Sequence, residues 1–95
     1  MKIKVQYFAA IREIANEREE FLEVEERATV LDVLRGLAKK HGDKFSNYVF
    51  DPQTGTPRPY LQFLLNEESV SKMNGVSTVL AANSTLAIIP PVGGG

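Results

Sequence analysis

The chain has 95 residues, and a domain of that size withdraws roughly 60–65 % of its unfolded surface from water, enough for one core without covalent staples. Eleven basic residues against twelve acidic ones leave a net charge of −1 and no basic stripe to neutralise phosphates, so no nucleic acid is expected as a partner. The absence of cysteine excludes disulfides, thiolate metal sites and a cysteine nucleophile; with no bilayer-length apolar run, no membrane partner and no signal-peptide core after Met1-Lys2-Ile3-Lys4, a cytoplasmic protein is expected.

Residues 2–8 alternate, with Ile3, Val5 and Tyr7 on one face and Lys2, Lys4, Gln6 and Phe8 on the other, the pattern of a half-buried strand. Phe8 is the apolar exception on the polar face. Ala9 to Ala15 reads as one or two helical turns. A strand over 21–25 follows, with Leu22 and Val24 on one side and Phe21, Glu23 and Glu25 on the other, expected antiparallel to the first. The six glutamates between Glu17 and Glu26 read as a solvated face.

Thr29 is an N-cap candidate, and Asp32 places a carboxylate at the positive end of the helix it opens. Val30, Val33, Leu34, Leu37, Ala38 and His41 recur at helical spacing over about three turns, Lys39, Lys40 and His41 fill the last turn, and Gly42 sits where a left-handed cap belongs. His41, the only histidine, reads as a capping or stripe residue rather than a ligand or base. Phe45, Val49 and Phe50 anchor a short helical turn before a Pro/Gly-rich loop over 51–59. Tyr60 to Leu65 is the most apolar short run and reads as a strand. Asn66-Glu67, Asn74-Gly75 and Asn83-Ser84 then divide the chain into short strand pieces around Val70 and around Val76 to Leu80. Thr85 to Ile89 is the last strand, ended by Pro90, which has no N–H to give a ladder.

This order predicts an α+β domain over 1–90 with one main helix packed on one face of a mixed sheet. The first and last strands lie side by side and parallel at its centre, the β-grasp arrangement. Residues 91–95 form a flexible tail.

No side chain has the company that catalysis needs: there is no second histidine, no Gly-x-Ser-x-Gly and no metal-spaced cluster. The glycines at 93–95 are not a phosphate cradle, because no helix follows them. What remains is the Gly95 carboxylate, presented on a chain without side chains. Pro91 to Gly95 can reach roughly 15 Å from the fold, enough to enter another protein's active site. A free carboxylate must first be activated, for which ATP is the natural reagent. Phe8 and Ile89 are candidate docking residues beside the tail. The plainer alternative is a binding module with an idle tail.

Three stretches carry a resemblance: Val5-Gln6-Tyr7-Phe8-Ala9-Ala10-Ile11-Arg12-Glu13, Thr29-Val30-Leu31-Asp32-Val33-Leu34, and Leu86-Ala87-Ile88-Ile89-Pro90-Pro91-Val92-Gly93-Gly94-Gly95. Together they resemble the small subunit of molybdopterin synthase, a ubiquitin-like sulfur carrier. The resemblance implies that an E1-like adenylating enzyme uses ATP to activate Gly95, that a sulfur donor converts it to a thiocarboxylate, and that the large synthase subunit takes up the tail. Gly93 and Gly94 would then thread the partner's channel, with Phe8, Ile89, Pro90, Pro91 and Val92 at the interface. The chain would bind no cofactor or metal and would not be catalytic alone. Conjugation of Gly95 to lysines as a ubiquitin-like modifier, and sulfur delivery to thiamin or transfer RNA, are the alternatives. Asn66-Glu67 stands where that family commonly has Asn-Gly.

Overall fold

Alternation at the start of the chain becomes β1 (Lys2–Tyr7), whose Ile3, Val5 and Tyr7 are buried while Lys2, Lys4 and Gln6 face outward. The computed structural model describes residues 1–91. The elements that follow are α1 (Ala9–Ala15), β2 (Glu19–Glu23), α2 (Val30–His41), α3 (Asp43–Val49), β3 (Gln62–Leu65), β4 (Glu68–Ser69) and β5 (Thr85–Ile89). The five strands form one sheet in the order β2-β1-β5-β3-β4. β5 lies parallel to β1 and antiparallel to β3, so the expected central parallel pair is present. The domain is a ubiquitin-like β-grasp fold of the α+β class.

α2 forms where the apolar stripe and caps require it. The Thr29 hydroxyl accepts the Asp32 N–H at 3.2 Å, and the Asp32 carboxylate accepts the Thr29 N–H at 2.9 Å, so two orphan donors of the first turn are satisfied reciprocally. Its Val30, Val33, Leu34 and Leu37 pack with Ile3, Val5, Tyr7, Phe63, Leu65, Leu86 and Ile88 of the sheet and with Phe45 and Val49 of α3.

Four local expectations differ from the structure. The second strand spans Glu19–Glu23, not 21–25, and pairs antiparallel with β1 through Val5↔Glu20 and Ile3↔Leu22. This register turns Glu20 inward, so the glutamate-rich segment is not uniformly a solvated face. Around Val70 and Val76 the chain forms 3-10 turns, Val70–Lys72 and Gly75–Ser77, rather than strands. Here the Thr78 hydroxyl donates to the Gly75 carbonyl at 2.7 Å and accepts the Asn74 N–H at 3.0 Å, a local pairing that competes with a ladder. Gly42 has φ +93 and ψ −168, a conformation open to glycine but not the left-handed cap expected. As expected, α2 is the main helix on the sheet's inner face, and the short α1 and α3 pack beside it.

Candidate functional site

On the face of the sheet away from the helices, cross-strand register lines up Gln6 of β1, Ala87 of β5 and Leu64 of β3. Ala87 is the small member of this row, and the sheet is hollow above it. The hollow is a shallow groove of about 470 Å³ lined by Gln6, Phe8, Leu64, Asn66, Glu67, Thr85, Ala87 and Ile89. It runs along β5. Ile89 lies at the end where the chain leaves the sheet, and Phe8, one residue beyond the Tyr7↔Ile88 pair, stands beside it. Thr85, Asn66 and Glu67 form the opposite end.

Phe8 is 37 % exposed because the chain turns sharply after it. Phe8 is extended (φ −131, ψ 151), whereas Ala9, the first residue of α1, has φ +52. A left-handed backbone at a residue with a Cβ is strained, and this kink holds the aromatic ring out of the core. A second exposed aromatic, Phe21 on β2, shares the open face, with the ammonium groups of Lys2 and Lys4 5.2 and 5.5 Å from its ring centroid.

The other end of the groove is held by a two-residue turn between β3 and β4. Leu65 pairs with Glu68, leaving Asn66 (φ +49) and Glu67 (φ +71) as its corner. Two positive φ values are what the right-handed twist of a hairpin demands, and glycine is the favoured second residue. Asn66 ties the corner to β5: its N–H donates to the Thr85 carbonyl and its side-chain oxygen accepts the Thr85 N–H, both at 2.9 Å.

A second cluster lies on the covered side. The buried Glu20 carboxylate accepts the Tyr7 hydroxyl at 2.8 Å and the Lys40 ammonium at 2.7 Å, and the His41 Nε2 lies 2.7 Å from it. Burial alone would raise this carboxyl. The Lys40 ammonium, the neighbouring Glu17 carboxyl, the Tyr7 hydroxyl and the His41 ring instead draw it down to about 2. Glu17 is pushed upward by its neighbour Glu20, and the Tyr7 hydroxyl is pushed up by its burial and by its bond to Glu20. Ligand atoms of Glu17, Glu20 and His41 come within 4.8 Å of one another, a grouping that positions 17, 20 and 41 conceal in the sequence. The Lys40 ammonium already supplies the positive charge there, and His41 also stacks on Phe45 at 5.2 Å. His41 is therefore both a stripe residue and a partner of a buried carboxylate.

The structure thus brings Phe8 and Ile89 to one groove. Pro90 is buried at the end of β5 and Pro91 is exposed. Val92, Gly93, Gly94 and Gly95 lie outside the described residues. Leu64, Ala87 and Glu67 join the groove only through strand register, which no local pattern displays. Among the described residues no helix is long and apolar enough to cross a membrane.

A family model described as the ThiS family matches residues 5–95. Small archaeal modifier protein 3 of Haloferax volcanii is 30 % identical over 95 residues, all of both chains. The crystal structure of SAMP1 from Haloferax volcanii superposes with a TM-score of 0.87 at 29 % identity, over 100 % of both chains. A Pyrococcus furiosus protein described as molybdopterin converting factor subunit 1 superposes with a TM-score of 0.76 at 28 % identity, over 97 % of this chain and 99 % of that one.

Proposed function

The chain belongs to the ThiS family of ubiquitin-like sulfur carriers and modifiers, and on that premise we propose that it carries sulfur as a thiocarboxylate on Gly95 for molybdopterin synthesis. An E1-like adenylating enzyme supplies the activation. A Gly95 carboxylate oxygen attacks the α-phosphorus of ATP, pyrophosphate leaves, and the carbonyl is now an acyl-adenylate. The terminal sulfur of a donor protein's persulfide then attacks that carbonyl and AMP leaves; a thiol next attacks the donor-side sulfur of the resulting acyl disulfide, which releases the Gly95 thiocarboxylate and leaves the donor as a disulfide with that thiol. The large subunit of molybdopterin synthase takes up Val92, Gly93, Gly94 and Gly95 and passes the sulfur to the pterin precursor. The chain contributes presentation rather than a catalytic side chain, and it uses no bound cofactor; ATP binds the activating enzyme.

One observation carries the reading. The central strand β5 delivers the chain to Pro90 and Pro91 beside a groove lined by Phe8, Leu64, Ala87 and Ile89, so the docking surface and the reactive end share one rigid element. An apolar hollow with an aromatic at its rim is the kind of patch where binding energy concentrates. The Pyrococcus furiosus relative supports the molybdopterin acceptor. The modifier relatives favour a second reading, in which a target lysine amine replaces sulfur as the nucleophile.

Intact-mass analysis of the protein from its native host tests both. Replacement of one oxygen by sulfur at Gly95 is the expected result for the carrier; conjugates in which the whole chain, less one water, is joined through Gly95 to lysines of other proteins are the expected result for the modifier. Neither signal would remove both readings. Deleting Gly94 and Gly95 is expected to leave the fold intact and abolish transfer, since the core cluster among the described residues ends at Ile88.

A further inference from the structure

Glu67 is the one charged side chain among the described residues that line the open-face groove. It occupies a backbone position, φ +71, that glycine fills without strain and a residue with a Cβ fills at a cost. Its partner in the turn, Asn66, is tied to β5 by two hydrogen bonds, so the corner is rigid and the Glu67 backbone is fixed relative to the groove. Among the described residues no basic group lies within ion-pair distance of its carboxylate, and unlike Glu13, Glu25, Glu26 and Glu68, which also have no ion-pair partner there, Glu67 lines the groove. Strain at a rigid, solvent-facing corner with no intramolecular contact to repay it is the pattern of a position held for a contact outside the molecule.

The groove is consequently asymmetric along its length. Phe8 and Ile89 make its apolar end, where the tail leaves, and Glu67 makes an anionic end beyond Thr85. Thr85 to Ile89 spans four residue steps of strand, about 13 Å. We propose that Glu67 is a specificity residue of this docking surface, which pairs with an arginine or lysine that the adenylating enzyme presents at the opposite end of the groove from the apolar side chain covering Phe8 and Ile89. The inference rests on the carrier reading and adds the chemistry of the partner: an apolar anchor and a cation at fixed separation. A desolvated charge pair of this kind fixes register on the partner and discriminates among activating enzymes that offer the same apolar anchor.

The test uses full-length protein and the recombinant E1-like adenylating enzyme of the native host, with carrier-dependent ATP–pyrophosphate exchange as readout. Glu67→Gly, Glu67→Gln and Phe8→Ala are compared with the unaltered chain at low and high ionic strength, alongside thermal melts. Glu67→Gln is expected to raise the carrier concentration for half-maximal exchange by about 5–20-fold at low salt, and the difference is expected to shrink as salt rises. Glu67→Gly is expected to do the same while melting at a higher temperature, so weaker docking cannot be blamed on a weaker fold. Equal half-saturation for all Glu67 forms, with Phe8→Ala still impaired, would overturn the inference and leave the carrier reading standing. No exchange with the unaltered protein would remove the carrier reading and this inference with it.

Discussion

On the covered face of the sheet Ile3, Val5, Tyr7, Phe63, Leu65, Leu86 and Ile88 pack beneath three helices. On the open face their neighbours Gln6, Leu64, Thr85 and Ile89 keep contact with water. The same strands build both, and the two faces treat charge in opposite ways. Glu20, 6 % exposed, is surrounded by Tyr7, Lys40 and His41, because an ionised carboxylate out of water needs partners for its lone pairs. Glu67 is exposed and stands without an ion-pair partner among the described residues, because water solvates it. A carboxylate that the fold must satisfy is structural; one that the fold leaves alone on a strained corner is available to a partner.

The contrast breaks most severely at the core. Phe45→Ala removes a fully buried ring that meets Tyr7 edge-on at 6.1 Å, and is expected to cost about 3–5 kcal/mol in urea-melt stability. Phe8→Ala on the open face is expected to do the reverse: a loss of roughly 10–100-fold in half-saturation of the activating enzyme, with stability changed by less than about 1 kcal/mol. A larger loss of stability than of docking would place Phe8 with the core instead.

Tyr7→Phe sharpens the comparison on the covered side. It leaves Glu20 one donor short and is expected to cost about 1–2 kcal/mol near neutral pH. The carboxyl of Glu20 falls from 4.5 to about 2 on folding, so the unfolded chain binds more protons between those values. Its contribution is complete above pH 4.5 and is lost as pH falls toward 2, which acid titration of stability should reveal as a slope that Glu20→Gln abolishes. The smallest effect is at Gly36, exposed in the middle of α2 with no atom within 4 Å of where a Cβ would stand. Gly36→Ala is expected to add about 0.5–1 kcal/mol and to leave activation unchanged.

Much of this was legible from local pattern. Alternation located β1, the run from Thr85 to Ile89 closed by Pro90 located β5, the apolar stripe with Thr29 and Asp32 located α2, and the polar-face position of Phe8 marked it for exposure. What escaped notice depends on contacts distant in sequence. The inward turn of Glu20 is stabilised by Tyr7, thirteen positions away, and by Lys40 and His41, twenty and twenty-one away, so a glutamate-rich segment read alone looks solvated. The 3-10 turns around Val70 and Val76 follow from side-chain hydrogen bonds that outcompete pairing. The groove is a cross-strand object: Ala87 and Leu64 matter only because register sets them beside Gln6, and Glu67 only because Asn66 fastens its turn to Thr85.

The place of β5 has a consequence for biogenesis. It is the last strand of the fold to be synthesised and yet the middle of the sheet, paired on one side with β1 and on the other with β3. Until it inserts, β1–β2 and β3–β4 are two separate strand pairs that share no ladder, and the long-range closure that joins them waits for β5, which follows both in the chain. The same insertion creates the groove, since Thr85, Ala87 and Ile89 are its floor. An unfinished or misfolded chain therefore lacks the groove proposed as the docking surface, and on that proposal only a completed sheet is recognised. Pulse-labelled chains released without residues 85–95 should be degraded rather than activated.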